Sequence, residues 1–278
     1  MSHFSFEFFP PQTPEGMVKL AATRQQLAIL NPQFFSVTFG AGGSTRDRTL
    51  ETVQQILAEG HAAAPHLSCI GSTRDNIRQL LDTYRNAGIK RIVALRGDLP
   101  SGMASTAGDF HYANELVEFI RAETGEHFQL EVAAYPEVHP QADSAQVDLR
   151  NFQRKVQAGA NSAITQYFYN ADSYFHFVEQ CQKLGIDIPI VPGIMPIMRF
   201  SQLARFSDTC GAEIPRWLRK TLEGYGDDVE SVQAFGLDVV TRLCERLLAG
   251  GAPGLHFYTL NQAGPSMEIW QRLRLSAA

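Results

Sequence analysis

Glu7 is the first residue with chemistry to offer. It sits inside the aromatic run Phe6-Glu7-Phe8-Phe9, which ends at Pro10-Pro11 because neither proline has a backbone N–H to give a neighbouring strand. A carboxyl group among aromatic side chains loses water, and that disfavours its charged form. The expectation is a raised pKa and a proton held near neutral pH. The plainer alternative is a glutamate paired with a buried arginine or exposed at a rim. Arg96-Gly97-Asp98 follows the apolar run Ile92–Leu95. Its opposite charges form either a salt bridge or, with a glycine that admits close backbone approach, a ligand contact. Asp148, Asn151 and Lys155 recur at steps of three and four and share one helical face, with Arg150 and Arg154 in a second stripe. Such a face is either solvated surface or a place where Lys, Asn and Asp hold a phosphate and a ribose. Gly40-Ala41-Gly42-Gly43-Ser44-Thr45 is glycine-rich, but Thr45 stands where a dinucleotide fingerprint has its third glycine, so it reads as a tight loop. His66 and His139 are ambiguous as single histidines. No Ser-His-Asp or Cys-His arrangement stands out. Neither the eight histidines nor the four scattered cysteines show metal-ligand spacing, so no metal is expected.

These residues need a frame, and the sequence predicts one. Short apolar runs at Phe4–Phe9, Phe34–Phe39, His66–Ile70, Arg91–Leu95, Gln129–Ala134, Ser162–Gln166, Ile188–Gly193 and Leu255–Tyr258 read as strands buried on both faces. Helical patterns lie between them, among them Thr73–Ala87, Val147–Ala158 and Val229–Leu248. In the last, Val232, Phe235, Val239, Leu243 and Leu247 form an apolar stripe. Gly88, Gly159, Gly185 and Gly250 stand where helices should stop. With no repeat or linker, residues 1–278 read as one domain. A βα pattern repeated eight times makes either a barrel or an open doubly wound sheet. Glu7, Thr38, His66, Arg96 with Asp98, Tyr135 with His139, Gln166, and Tyr258 with Asn261 put polar side chains at nearly every strand end. An open sheet gathers only the loops beside its switch point, whereas a barrel gathers all eight. The expected fold is a single (β/α)8 TIM-type barrel.

Composition closes off other classes. A net charge of −5 without any Lys/Arg run argues against nucleic acid as a partner. No apolar stretch approaches the ~20 residues that span a bilayer. The first strand begins at Phe4, which leaves no room for a leader, and the cysteines read as free thiols of a reducing compartment. A cytoplasmic protein is expected.

Taken in order, several segments resemble the methylenetetrahydrofolate reductase family through nearly the whole chain. They are Phe6–Pro11, Ser36–Ala41 with Arg46–Thr49, Ala64–Leu67, Ala94–Asp98, Ala133–Pro140, Gly159-Ala160, Ile164–Gln166 and His256–Asn261. The resemblance implies a barrel that binds FAD non-covalently and reduces 5,10-methylenetetrahydrofolate to 5-methyltetrahydrofolate with NADH or NADPH, supplying methyl groups for methionine synthesis. One flavin mouth used in turn by both substrates implies ping-pong kinetics, and relatives assemble as homo-oligomers. By position, Glu7 matches the acid that protonates the folate, and Asp98 the aspartate beside flavin and pterin. FAD contacts fall on Thr38, Phe39, Ala41, His66, Arg96, Gly97, Asp98, Tyr112, Ala113, Tyr135, His139, Ala142, Asp148, Asn151, Arg154 and Lys155. Folate contacts fall on Glu7, Asp98, Gln166, Gln202 and Phe206. Gln262 stands where many relatives have Arg, which bears on how the substrate's glutamate tail is gripped. Two other readings stay on the table. One is a barrel lyase using Lys90 or Lys155 as a Schiff-base amine; the other is a catalytically silent barrel.

Overall fold

The predicted apolar runs become strands of one parallel sheet. The computed structural model describes residues 3–40, 45–98 and 108–275. Its strands are β1 (His3–Phe8), β2 (Phe34–Val37), β3 (Ala63–Ser68), β4 (Arg91–Leu95), β5 (Gln129–Ala134), β6 (Ser162–Thr165), β7 (Ile190–Val191), β8 (Gly193–Ile194) and β9 (Gly254–Tyr258). The helices are α1 (Pro14–Ala28), α2 (Arg46–Ala58), α3 (Arg74–Asn86), α4 (Ala113–Thr124), α5 (Ala145–Gln157), α6 (Ala171–Lys183), α7 (Phe200–Cys210), α8 (Arg216–Tyr225), α9 (Val229–Ala249) and α10 (Gly264–Arg272). The sheet runs β7-β6-β5-β4-β3-β2-β1-β9-β8, so the segment β7–β8 touches both of its ends and the sheet wraps into a barrel. The seventh predicted strand is therefore two short pieces. Pro192 separates them: it has no N–H for a ladder, and its carbonyl accepts from His256 N at 3.0 Å.

Alternation along β1 sorts the side chains. Phe4, Phe6 and Phe8 join the large core between barrel and helices, where Phe6 stacks on Phe257 and Phe4 meets Trp270 edge-on. Ser5 and Glu7 take the opposite face, the barrel interior. That interior is filled by a separate cluster of Phe34, Ala64, Val93 and Ile164. Below it Arg91 pairs with the buried Glu131, which also accepts from Ser162, and the Arg91 guanidinium lies over the Phe34 ring. Removing one partner of such a pair costs about 3–5 kcal/mol, so this ionic plug holds the base of the barrel.

The stripe predicted for α9 is rotated. Its buried face runs through Val232, Gly236, Val240, Leu243, Cys244 and Leu247, while Phe235 and Val239 are only half-buried. Gly236 lets the helix lie directly against Ile197, and that contact sets the face. The left-handed residue beyond α9 is Gly251, one past the expected Gly250. Among the described residues no helix is long and apolar enough to cross a membrane.

Candidate functional site

The polar strand ends gather on one end of the barrel and border two cavities. The first is a cleft over β4 and β5 lined by Arg96, Gly97, Asp98, Tyr112, Ala113, Tyr135, His139, Ala142, Asp148, Asn151 and Lys155, together with Asn114 and Gln141. Local structure explains the gathering. Ser144 caps α5 by accepting from Val147 N at 3.3 Å. One turn later, Asp148 accepts from His139 N at 2.8 Å, tying the β5–α5 loop to the helix. On α4, Glu115 reaches back to the amides of His111 and Tyr112 at 2.7 and 3.3 Å, which fixes Tyr112 and Ala113 at the cleft edge. Gly97 has a φ of +84°, and a Cβ there would lie 1.7 Å from Ser68 Oγ, so only glycine can follow Arg96.

The cleft lining carries two basic side chains, Arg96 and Lys155, and two acidic ones, Asp98 and Asp148. Arg96 does not pair with Asp98; it donates to the Gln141 side chain and to Gly97 O. The predicted Asp148–Asn151–Lys155 face does point into the cleft. The Lys155 stem is half-buried and its ammonium is enclosed, donating to Ala133 O. Burial brings its pKa down to about 8, partly opposed by Asp148. No carboxylate among the described residues lies within ion-pair distance of it. Burial likewise lowers the pKa of His139, whose Nδ1 accepts from Gln141 N at 3.0 Å. Burial, with the charges of Asp98 and Asp148, raises Tyr135 to about 12. An enclosed cation without an anionic partner, flanked by Arg96 and Asn151, is a donor set that fits the phosphates and ribose of FAD.

A prediction follows from Lys155. Charge-assisted hydrogen bonds of about 1.5–3 kcal/mol correspond to roughly 10–100-fold in affinity, so K155Q is expected to weaken flavin binding by that factor. In the free protein the ammonium is present below about 8 and lost above it. Wild-type affinity should therefore fall between pH 7 and pH 9, and K155Q should lose that dependence. Equilibrium dialysis with FAD at both pH values checks it.

Glu7 is placed otherwise than its sequence neighbours suggest. The side chain is 16% exposed, with Oε2 lying 3.2 Å from His66 Nε2 on β3 and 3.4 Å from His256 Nε2 on β9. Burial pushes its pKa up, but the two imidazoles outweigh burial and hold it at about 2. The expected proton-bearing acid is a carboxylate in this state, because its aromatic sequence neighbours face the helices and its true neighbours are histidines.

The second cavity opens beside Glu7 and is lined by Phe9, Tyr167, Met195, Phe206, Thr209, Cys210, Tyr258 and Leu260. Its walls are largely aromatic. The Tyr258 hydroxyl donates to Thr165 O at 2.7 Å, and the Tyr167 hydroxyl lies 3.1 Å from Ser207 Oγ. Leu260 and Asn261 both have positive φ, at 52° and 57°, a conformation that costs about 1–2 kcal/mol for a residue such as leucine and that asparagine adopts more readily. Asn261 holds this kink by accepting from Phe9 N at 3.1 Å and donating to Phe9 O at 2.9 Å.

Eleven of the sixteen residues assigned to the cofactor line the first cleft. Thr38, Phe39 and His66 stand on the neighbouring strand ends without lining it, and Arg154 lies in an adjoining groove with Arg121, donating to Asn151. Ala41 and the residues that follow Asp98, 99–107, lie outside the described residues. Of the folate positions, Glu7 and Phe206 line the second cavity. Gln166 lines a smaller hollow with Tyr135 and Tyr167 and accepts from Tyr167 N at 3.0 Å. Gln202 is half-buried on α7 and Gln262 is exposed, and neither borders the cavity. Sequence reasoning missed Asn114, Gln141, Phe9, Tyr167, Met195, Cys210 and His256. Phe9 and His256 carried a signal, since both lie in segments of the resemblance and His256 stands two residues from Tyr258 on one strand face.

Comparison with known proteins finds relatives through nearly the whole chain. Residues 1–274 match the family model described as methylenetetrahydrofolate reductase. The chain is 44% identical over 270 residues to 5,10-methylenetetrahydrofolate reductase of Escherichia coli (strain K12), covering 97% of this chain and 90% of that one. It is 39% identical to methylenetetrahydrofolate reductase (NADH) 1 of Arabidopsis thaliana, covering 98% of this chain and 48% of the plant protein. Among solved structures, an uncharacterized protein from Clostridium thermocellum that binds two copies of 5-methyl-5,6,7,8-tetrahydrofolic acid superposes with a TM-score of 0.67 at 18% identity, covering 98% and 93% of the two chains. At that identity it shows the shared fold.

Proposed function

The chain belongs to the methylenetetrahydrofolate reductase family of oxidoreductases, and we propose that it reduces 5,10-methylenetetrahydrofolate to 5-methyltetrahydrofolate with NADH or NADPH through a non-covalently held FAD. The observation that carries this reading is the pairing of two unlike cavities on one barrel end. One is a polar cleft with an enclosed, unpaired Lys155 ammonium; the other is an aromatic cavity with Glu7 on its wall. His66, on the strand next to β4, touches Glu7.

The flavin, when bound, would supply the hydride chemistry. The chain's own residues bind, orient and protonate. Arg96 and Lys155 would meet the phosphates, while Asp148 and Asn151 would meet ribose hydroxyls. Phe206, Tyr167 and Tyr258 offer flat aromatic faces to a pterin and keep water from it. Glu7 would protonate the substrate nitrogen whose bond to the methylene bridge must open. One mouth shared by nicotinamide and folate in turn gives ping-pong kinetics.

The test is a visible absorption spectrum of the purified protein, before and after anaerobic NADH or NADPH, followed by methylenetetrahydrofolate. A flavin spectrum that bleaches and then returns supports both halves of the reaction. Protein that takes up no flavin on incubation with FAD would sink the reading.

Asp98 offers a second check. It is exposed at the cleft, so its carboxylate opposes added electrons nearby. D98N is expected to raise the flavin potential by on the order of 30 mV, the equivalent of tenfold for two electrons. Folate turnover should fall at least about tenfold. A dye-coupled potential titration with steady-state assays measures both; wild-type values for both would remove Asp98 from the site.

A further inference from the structure

Glu7 has a second layer behind it. Register places Ser5 opposite His256 and Glu7 opposite Tyr258 across the β1–β9 ladder, so His256 stands one step deeper in the barrel than Glu7. His256 is wholly buried. Its Nε2 is aligned for a hydrogen bond with Glu7 Oε2 at 3.4 Å, and its Nδ1 lies 2.7 Å from Ser5 Oγ. His66 Nε2 is nearer to Glu7, at 3.2 Å, but is not oriented for a hydrogen bond with it or with any other group. The remaining groups around the couple are accounted for. Tyr258 is committed to Thr165 O, Ser36 faces in from β2, and the Phe34 ring separates His256 from the Arg91–Glu131 pair.

A carboxylate held in this way carries no proton of its own at neutral pH, yet the proposed folate reaction consumes one at this position. We propose that His256, its tautomer set by Ser5, is the proton reservoir of Glu7: a positioning residue that supplies through Glu7 the proton taken by the folate. This rests on the reading of the site given above. Ser5 Oγ accepts from Nδ1–H, which leaves Nε2 as the nitrogen that gains and loses a proton. In the waiting site the proton is on Nε2 and Glu7 is a carboxylate. A folate ring filling the aromatic cavity removes water from the ion pair, and the neutral pair becomes favoured. The Nε2–H bond then breaks as an O–H bond forms on Glu7. That O–H bond breaks in turn as an N–H bond forms on the substrate. Glu7 ends as the carboxylate, His256 ends neutral with Nδ1–H still on Ser5, and solvent returns the proton after product leaves.

The test uses the flavin-loaded full chain and measures the two half-reactions separately by stopped flow. H256Q is expected to reduce its flavin with NADH or NADPH within about twofold of wild type and to be reoxidised by methylenetetrahydrofolate about 30-fold more slowly. The alkaline limb of its folate half-reaction should move to lower pH, since the proton then has only Glu7 to rest on. S5A keeps the imidazole and its packing, and should show the same selective loss at about fivefold. A readout apart from turnover is the 15N NMR signal of the His256 ring in flavin-free protein. In wild type it should report a ring protonated on both nitrogens that passes to the Nδ1–H tautomer as the pH is raised, and in S5A a ring that passes to a mixture of tautomers. If both variants keep the wild-type folate rate and pH profile, the reservoir is refuted; so too if both half-reactions slow alike, as a merely structural role would have it. Should H256Q fail to fold, S5A decides by the same criteria. Failure of the functional reading itself is seen earlier and separately, as wild-type protein that takes up no flavin or is not reoxidised by folate.

Discussion

Replacing Glu7 by glutamine is expected to leave flavin binding and its reduction by NADH or NADPH intact and to slow the folate half-reaction by about 10²–10⁴-fold, the range that general acid catalysis contributes. Glutamine keeps the volume and one acceptor oxygen, so the barrel interior stays filled and His256 keeps a hydrogen-bond partner. What is lost is the group able to take a proton from one side and give it to the other. Hydride transfer from nicotinamide to the flavin takes no proton from Glu7, which lies on the wall of the second cavity, so the two half-reactions should separate cleanly. Single-turnover reoxidation by methylenetetrahydrofolate, beside reduction by nicotinamide, measures the separation. A folate rate equal to wild type would show that the proton comes from elsewhere.

Gly193→Ala is expected to destabilise the fold by about 3 kcal/mol and to lower the unfolding midpoint by roughly 6–12 °C. Gly193 sits at the seam where two-residue strands on either side of Pro192 close the barrel. A Cβ there would lie 2.2 Å from Thr165 O and 2.6 Å from the Tyr258 ring. Neither neighbour can retreat easily. Thr165 Oγ1 accepts from Gly193 N at 2.9 Å, and Thr165 O holds the Tyr258 hydroxyl at 2.7 Å. Because Tyr258 lines the second cavity, folate turnover should fall with stability, whereas flavin uptake at low temperature should persist. Gly264→Ala, where a Cβ meets nothing within 4 Å, is the control and should melt within about 2 °C of wild type. Thermal unfolding followed by circular dichroism compares them; an unshifted midpoint for Gly193→Ala would show that the seam has slack.

The barrel was legible in the sequence because its signals are local. Strands buried on both faces must be short and apolar, and the polar residues that end them, such as Arg96-Gly97-Asp98 and Tyr135, mark where each strand stops. The Asp148–Asn151–Lys155 face was legible for a similar reason: helical spacing alone puts the three together, although spacing could not say that they face a cleft. Tertiary structure decided the rest. The charge of Glu7 depends on His66 and His256, which reach it from strands far along the chain. Local sequence offered only the phenylalanines beside Glu7, and strand alternation turns those the other way. The wall of the second cavity is likewise set by tertiary structure: Phe206 and Tyr258 were named from resemblance and strand ends, but Tyr167, Met195 and Cys210 join them only when barrel closure sets all five around one space. Periodicity and chain-breaking residues act over a few positions and are written in order along the chain. Ionisation and cavity shape depend on distances between strands that meet only when the barrel closes.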